Sequence, residues 1–334
     1  MINAVPRASW RVLALPPVAE NRLHEMFDPL GVELHVPATR DNDGVLASLT
    51  EVDIVIGDYT GVLGFQADAV AAAANLAFLQ VPRVGLDSFD LESLTAAGVP
   101  VANTPGVNTR AVAEWALAAT FDLSRSVSWA DRRMREGGWP QFDTTARGAD
   151  ELGSRRVGIL GMGSIGTEVM RLFKALGSSV VYWSRHQRPE GTFVEVDELL
   201  TTSDVIIVCL PLTPETQNFL NAERLALMKE GALLVNVARG EIAPDDAVLA
   251  ALDSGRLRGA ALDVYEQEPL SFDHPLRRHE NVLLSCHTAG ATRQSLERIW
   301  SMTVENVRAA VDGRPVANIV NGLGSTIVKR NQQN

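Results

Sequence analysis

Arg156-Val157-Gly158-Ile159-Leu160-Gly161-Met162-Gly163-Ser164-Ile165-Gly166 is the stretch whose reading decides the fold. Val157 to Leu160 read as a buried strand, and the residues after Gly166 carry apolar side chains at Val169, Met170, Phe173 and Leu176, which is helical spacing. Strand, glycine turn and helix thus come in the order of a dinucleotide-binding fingerprint, Gly161-x-Gly163-x-x-Gly166. Gly161 permits the tight turn, Gly163 lets a pyrophosphate approach the backbone, and Gly166 lets the helix pack closely on the strand. Ser164 and Ile165 open that helix, whose free N–H groups and positive dipole end suit phosphate. A glycine-rich turn without a ligand has the same spacing, so the flanking strand and helix carry the assignment.

The 334 residues, 46% of them hydrophobic, suffice for two domains with separate cores. A formal charge of −11, with no compensating Lys/Arg cluster, argues against a nucleic-acid surface. Two cysteines, Cys209 and Cys286, are too few for a disulfide framework, so a reducing cytoplasm is expected. The apolar patch at 12–18 is interrupted by Pro16-Pro17, and no apolar run reaches membrane-spanning length. Neither a signal peptide nor a membrane segment is expected, and no metal site is assigned.

Upstream of the fingerprint, short Val/Leu/Ile runs at 10–15, 32–36 and 52–56, with a helical stretch at 20–27, predict a small α/β domain. A short helix is expected at 67–74 and a strand at 76–81. That strand ends in Pro82-Arg83-Val84-Gly85-Leu86-Asp87, where the glycine either brings N–H groups to an anion or simply turns the chain. A helix at 91–97 is stopped by Gly98, and the turn-rich residues 99–108 predict a domain boundary. Residues 109–135 contain no Pro or Gly and carry apolar residues at Val112, Trp115, Ala116, Ala119, Leu123 and Val127, so one long helix is expected. From Val157 onward, strands at 180–183, 205–210, 233–237, 260–264 and 282–285 alternate with helices at 196–200, 222–228 and 245–252. Strands this apolar on both faces suit a parallel sheet covered by helices. A final helix is expected at 294–311, and residues 329–334 are expected to be a disordered tail.

Three segments place an ionisable group at the carboxyl end of a strand, where open α/β sheets bind ligands. They are Val237-Ala238-Arg239-Gly240, Asp263-Val264-Tyr265-Glu266-Gln267-Glu268-Pro269 and Ser285-Cys286-His287-Thr288-Ala289-Gly290. Taken singly, the plainer readings stand first: Arg239 in a surface ion pair, Glu268 a solvated carboxylate, His287 a satisfied core histidine. Joined to a dinucleotide fold, the three make a consistent set. Arg239 can hold the carboxylate of a 2-oxo acid in a fork of donors. His287 can give a proton to the carbonyl oxygen, with Glu268 orienting the imidazole and stabilising its protonated form. The cofactor would supply the hydride.

On these segments the chain resembles the D-isomer-specific 2-hydroxyacid dehydrogenases, in particular the glyoxylate and hydroxypyruvate reductases, from about residue 50 to about residue 322. The resemblance is carried by Val84-Gly85-Leu86-Asp87, Asn103-Thr104-Pro105-Gly106-Val107-Asn108, Gly161 to Gly166, Cys209-Leu210-Pro211-Leu212-Thr213-Pro214-Glu215-Thr216, Val235-Asn236-Val237-Ala238-Arg239-Gly240, Ala261-Leu262-Asp263-Val264-Tyr265-Glu266 and His287-Thr288-Ala289-Gly290. It implies that Arg239, Glu268 and His287 are the catalytic trio and that the Val84-Gly85 backbone helps to bind the substrate carboxylate. It places Asp263 at the nicotinamide carboxamide, Cys209, Leu210, Pro211 and Thr216 along the cofactor cleft, and Val237, Ala238 and Gly290 beside them. It further implies a discontinuous, flavodoxin-like substrate domain, 1–103 and 292–334, around a Rossmann-type doubly wound cofactor domain at 104–291. Closure of the two over the substrate would exclude water. The region after Asn108 is similar to the family's dimer-forming part, so a homodimer is expected.

One departure bears on the cofactor. NAD users of the fingerprint carry an acidic residue at the end of the second strand to hold the ribose 2′-OH. Here that position, eighteen residues after Gly166, is Ser184, followed by Arg185 in Tyr182-Trp183-Ser184-Arg185-His186-Gln187-Arg188. Arg185 can pair with an adenosine 2′-phosphate, a contact worth about 1.5 to 3 kcal/mol or roughly ten- to a hundredfold in preference. Arg188 and the Ser184 hydroxyl add to it, so NADP is expected to be preferred and NAD to remain usable. The alternative is a solvated basic loop indifferent to the phosphate. The expected activity is reduction of a small 2-oxo acid such as glyoxylate or hydroxypyruvate. A phosphoglycerate dehydrogenase is the alternative within the class, set back by how soon the chain ends after its final helix. Formate oxidation fits poorly with an acid–base pair suited to a carbonyl. A nucleotide-sensing binding protein, similar to the dehydrogenase-like corepressors, is the alternative of another class.

Overall fold

The structure, a computed structural model, describes residues 9–330. They fall into two compact units, one running to Val107 and resuming at Arg293, the other spanning Asn108–Thr292. Strands buried on both faces can only pair within a sheet that helices cover twice, and each unit is built that way.

The first unit holds β1 (Arg11–Ala14), β2 (Glu33–His35), β3 (Ile54–Ile56), β4 (Phe78–Gln80) and β5 (Val101–Ala102). They lie in the order β2-β1-β3-β4-β5, every neighbouring pair parallel, which is the flavodoxin-like order. Alternation along the strands sends Leu13, Val55, Leu79 and Val101 into one core, with Val45, Ala69 and Leu94 from the helices Asn42–Ala47, Ala67–Ala72 and Leu91–Ala96. Val12, Ile54, Ile56 and Phe78 enter the other, under Leu23 and Phe27 of Glu20–Phe27 and Val307 and Ala310 of Arg293–Val311. The returning helix is fixed in register by a buried amide pair, Asn306 Nδ2 donating to Gln80 Oε1 at 2.7 Å. β5 lies inside the turn-rich stretch that reads as a boundary; it pairs with β4, and the chain leaves the unit only after Val107.

The second unit holds β6 (Arg156–Leu160), β7 (Ser179–Trp183), β8 (Thr192–Phe193), β9 (Val205–Val208), β10 (Ala232–Asn236), β11 (Leu257–Leu262) and β12 (Val282–Leu284). Their order is β12-β11-β10-β9-β6-β7-β8, again parallel throughout, the doubly wound Rossmann arrangement with one strand added at its end. Ile159, Ile207 and Val235 face a core shared with the helices Thr109–Arg125 and Ser164–Ala175. Leu160, Val208 and Leu234 face the core under Val196–Thr202, Ala222–Leu227 and Asp245–Asp253. Strand order reverses between β6 and β9, which opens a crevice at their carboxyl ends.

Two expectations are corrected. The single helix at 109–135 is two, Thr109–Arg125 and Val127–Arg135, broken at Ser126, whose φ is 52°. The break is held by Asp122, whose carboxylate accepts from both the N–H and the hydroxyl of Ser128 at 2.7 Å, starting the second helix afresh. The disordered tail fails at its first two residues. Lys329 Nζ lies 2.9 Å from the buried Asp53 carboxylate, donates to the Ser9 carbonyl and sits over the Trp10 ring, while Arg330 donates to the Ala74 and Ala97 carbonyls. Residues 331–334 lie outside those described. Removing the cation from a buried pair strands the anion, so Lys329→Met is expected to lower unfolding stability by about 3 kcal/mol, read by denaturant titration. An unchanged midpoint would mean that Asp53 is satisfied by its bond from the Arg11 N–H alone.

Candidate active site

The turn after β6 shows three different uses of glycine. Gly161 has φ +102°, and a Cβ there would stand 2.6 Å from the Cys209 carbonyl oxygen, so the loops after β6 and β9 meet backbone to backbone across the crevice. A Cβ at Gly166 would overlap the Gly161 carbonyl, which lets the helix Ser164–Ala175 press onto its own strand. A Cβ at Gly163 would meet nothing within 4 Å. The helix N-terminus beside it has no side-chain cap, so its N–H groups face that open space as an anion cradle. A pyrophosphate fits such a site. The Cys209 carbonyl meets that turn, and burial pushes the Cys209 thiol up to about 12 and keeps it protonated. Thr216 turns inward, its hydroxyl donating to the Pro211 carbonyl at 2.6 Å and so bracing the loop after β9.

β10, β11 and β12 each end in one of the three ionisable segments. Arg239 follows β10 in a loop braced by Asn236, which is buried, accepts from the Ala238 N–H at 3.0 Å and donates to the Arg239 carbonyl at 2.9 Å. Val237 and Ala238 are buried within that brace. Asp263 follows β11, is 2% exposed, and accepts from the Thr288 N–H at 2.8 Å, the Ala289 N–H at 2.9 Å and the Ser285 hydroxyl. Its carbonyl accepts the His287 N–H at 2.8 Å. The loop after β12 is thereby drawn over β11, with His287 in the left-handed region at φ 56°. His287 Nδ1 lies 2.7 Å from Glu268 Oε2, and Glu268 Oε1 accepts the Tyr265 N–H at 3.1 Å. Burial raises the Glu268 carboxyl, but the hydrogen bond and charge of His287, the Tyr265 N–H and the Arg239 charge outweigh it and hold it below the ordinary carboxylate range. With Nδ1 engaged, Nε2 is the ring atom left to exchange a proton.

Among the described residues, no group of three or more His, Cys, Asp or Glu could hold a metal ion. Gly290 packs under Asn108, whose amide would lie 2.8 Å from an added Cβ. Val84 and Gly85 belong to the first unit, in the bend after β4, where the Asn103 amide donates to the Val84 carbonyl at 2.9 Å. Ser184, Arg185 and Arg188 follow β7; the Ser184 hydroxyl donates to the His186 carbonyl at 2.6 Å and is spent within its own turn.

The family model described as the NAD-binding domain of the D-isomer specific 2-hydroxyacid dehydrogenases matches residues 117–289. The chain belongs to this family. It is 38% identical to a glyoxylate reductase of Aeropyrum pernix over 76% of this chain and 79% of that one. A D-3-phosphoglycerate dehydrogenase of Archaeoglobus fulgidus is 33% identical over 93% of this chain, which spans 59% of that longer protein. The TT0316 protein of Thermus thermophilus superposes with a TM-score of 0.84 at 33% identity, covering 93% of this chain and 99% of its own. The protein is thus an oxidoreductase of the CH–OH group that works with a pyridine nucleotide.

Asn236, Asp263 and Thr216 act here as braces, a use that the sequence does not announce, although a buried polar residue at a strand's carboxyl end is a signal worth following. Gly163→Ala is expected to leave the unfolding midpoint of this dehydrogenase unchanged while weakening nucleotide binding about tenfold, because only the ligand meets the new methyl. Gly166→Ala must part helix from strand and is expected to cost about 2 kcal/mol. Fluorescence titration and thermal unfolding of both variants check this, and equal loss of stability in the two would remove the distinction.

Proposed function

We propose that this dehydrogenase reduces a small 2-oxo acid such as glyoxylate or hydroxypyruvate, with NADPH as the favoured reductant. The observation that carries the reading is the His287–Glu268 pair at 2.7 Å, with the ring nitrogen Nε2 left for the substrate. The naming of a 38% identical relative as a glyoxylate reductase supports the substrate class. The Asn108–Thr292 unit is assigned to the nucleotide and the other unit to the substrate.

Arg239 binds and orients the substrate carboxylate in its planar fork. Gly161 to Gly166 would hold the nucleotide, which would supply the hydride to the carbonyl carbon. His287 Nε2 gives a proton to the carbonyl oxygen, so the substrate gains one hydride and one proton and leaves as the 2-hydroxy acid. Glu268, ionised because its carboxyl is held low, stabilises the charged imidazole before transfer and fixes the ring through Nδ1. In the reverse direction His287 takes the proton back.

Arg185 is the residue assigned to an adenosine 2′-phosphate. Glu215 on the loop after β9 is lowered, chiefly by the Thr213 hydroxyl, with the Arg185 charge a lesser contribution. A homodimer formed through the region after Asn108 fits the exposure of Val127, Trp139 and Phe142, which are 57%, 76% and 80% accessible. Two free thiols, Cys209 and Cys286, fit a reducing cytoplasm.

Initial rates with NADPH and NADH over glyoxylate, hydroxypyruvate, pyruvate, phenylpyruvate and 3-phosphohydroxypyruvate test the reading. Fast NADPH turnover of one of the first two is expected, and selective turnover of the phosphorylated acid would instead favour the phosphoglycerate dehydrogenase reading. His287→Gln is expected to lower kcat by about a hundredfold or more. Arg185→Ala is expected to narrow the NADPH-to-NADH ratio by about tenfold, and an unchanged ratio would sink the phosphate assignment. In sedimentation velocity, a double Trp139→Ser, Phe142→Ser variant is expected to run as a monomer where the parent runs as a dimer.

A further inference from the structure

A second pair of carboxylates joins the segments that carry Arg239 and Glu268. Asp245 opens the helix Asp245–Asp253, six residues beyond Arg239, and Glu266 stands two residues before Glu268. The helix begins after Pro244, which offers no side-chain acceptor, and Glu266 Oε2 takes that place by accepting the Asp245 N–H at 2.8 Å. Next to this clasp, Gly240 is pressed so closely on the Tyr265–Glu266 peptide that a Cβ would overlap it. The loop after β10 and the loop after β11 are therefore locked to each other one residue beyond Arg239 and two short of Glu268.

The clasp is kept at a cost. Asp245 is 6% exposed, and it is pushed up to about 6, first by burial and then by the Glu266 charge, with His274 and the Glu266 N–H acting against the rise and Asp246 adding to it. His274 reaches it from the segment before Pro275–Arg278, Nε2 to Oδ2 at 3.5 Å. A folded value above the usual ~3.9 means that ionising Asp245 destabilises the fold, fully above about pH 6 and not at all below about pH 4. A destabilising pair retained beside reactive loops is the pattern of a residue held for function rather than for stability.

We propose that Glu266 and Asp245 are positioning residues whose clasp, beside the Gly240 contact, sets the spacing of Arg239 from the His287–Glu268 pair, an inference that rests on the roles proposed above for those three. Steady-state kinetics with NADPH and the best 2-oxo acid, nucleotide affinity and thermal unfolding are measured on E266A, E266Q and D245N. E266A raises KM for the oxo acid and lowers kcat/KM about tenfold, with nucleotide Kd unchanged. E266Q stays within about twofold of the parent, because its amide oxygen still accepts the N–H. D245N is more heat-stable than the parent at pH 8, equals it near pH 4, and still loses about fivefold in kcat/KM, a combination that a merely structural role does not produce. Parental kinetics in E266A, equal damage in E266Q, or an unchanged kcat/KM in D245N overturns the clasp; D245N alone decides if E266A does not fold. In an R239K background, E266A adds nothing further. If R239K alone keeps full activity, the catalytic assignment falls and the clasp with it, whereas a damaged R239K beside a fully active E266A overturns the clasp alone.

Discussion

The geometry of the candidate site depends on one buried carboxylate. Asp263 leaves the end of β11 and satisfies the Thr288 and Ala289 N–H groups and the Ser285 hydroxyl, while its own carbonyl takes the His287 N–H. Those donors belong to a loop that would otherwise have to find water, and the charged acceptor makes each bond stronger than a neutral one. The strain of a histidine at φ 56° is a small cost against three such bonds and a fourth to the Asp263 carbonyl. With the N–H groups of His287, Thr288 and Ala289 all tied to Asp263, the backbone that carries the ring is fixed, and its Nδ1 meets Glu268.

The second constraint is how near one backbone comes to another. Parallel strands deliver all their carboxyl ends to one edge, so the loops that leave them crowd together there. Gly161 lets the β6 and β9 loops touch, Gly166 brings helix onto strand, and Gly240 seats the Arg239 loop on the Tyr265–Glu266 peptide. Gly163, alone of these four, leaves empty space where a side chain would stand. The same residue type thus closes the scaffold at three places and opens it at one, and the open place lies against bare helix N–H groups.

The features legible in the sequence are the local ones. The glycine fingerprint, the strands apolar on both faces and the Arg239, Glu268 and His287 segments are each contained within a dozen residues, and all the strands expected from Val157 onward are present within a few residues of their expected ends. What stayed hidden was set by partners distant in sequence or by side chains competing with the helix. Ser126 breaks a helix without Pro or Gly because Asp122 captures Ser128, a contest that apolar periodicity does not register. β5 is two residues long in a stretch full of turn formers and exists because β4 lies alongside. Lys329 has no local reason to be ordered; its reason is Asp53, far up the chain. The braces Asn236 and Asp263 stand in plain view within quoted motifs, yet their partners are backbone groups, and backbone groups leave no trace in a sequence.

A chain of net charge −11 that handles an anionic nucleotide and an anionic acid raises a question of attraction. At physiological salt a surface charge is felt over about 8 Å, so the distant carboxylates neither help nor hinder, and the outcome rests on groups in the immediate neighbourhood. There the helix N–H groups after Gly163 and the Arg239 guanidinium are positive, and the one carboxylate of the set, Glu268, is paired with the ring of His287. His287, the Tyr265 N–H and Arg239 together hold Glu268 low, so an ionised carboxylate faces the ring that the proposed mechanism uses as proton donor to a developing alkoxide. Glu268 is engaged by His287 and Tyr265, and the Arg239 charge adds to what holds it ionised. An acidic protein can in this way keep a strongly anion-receptive site, and the acidity elsewhere costs it nothing at the range over which the chemistry acts.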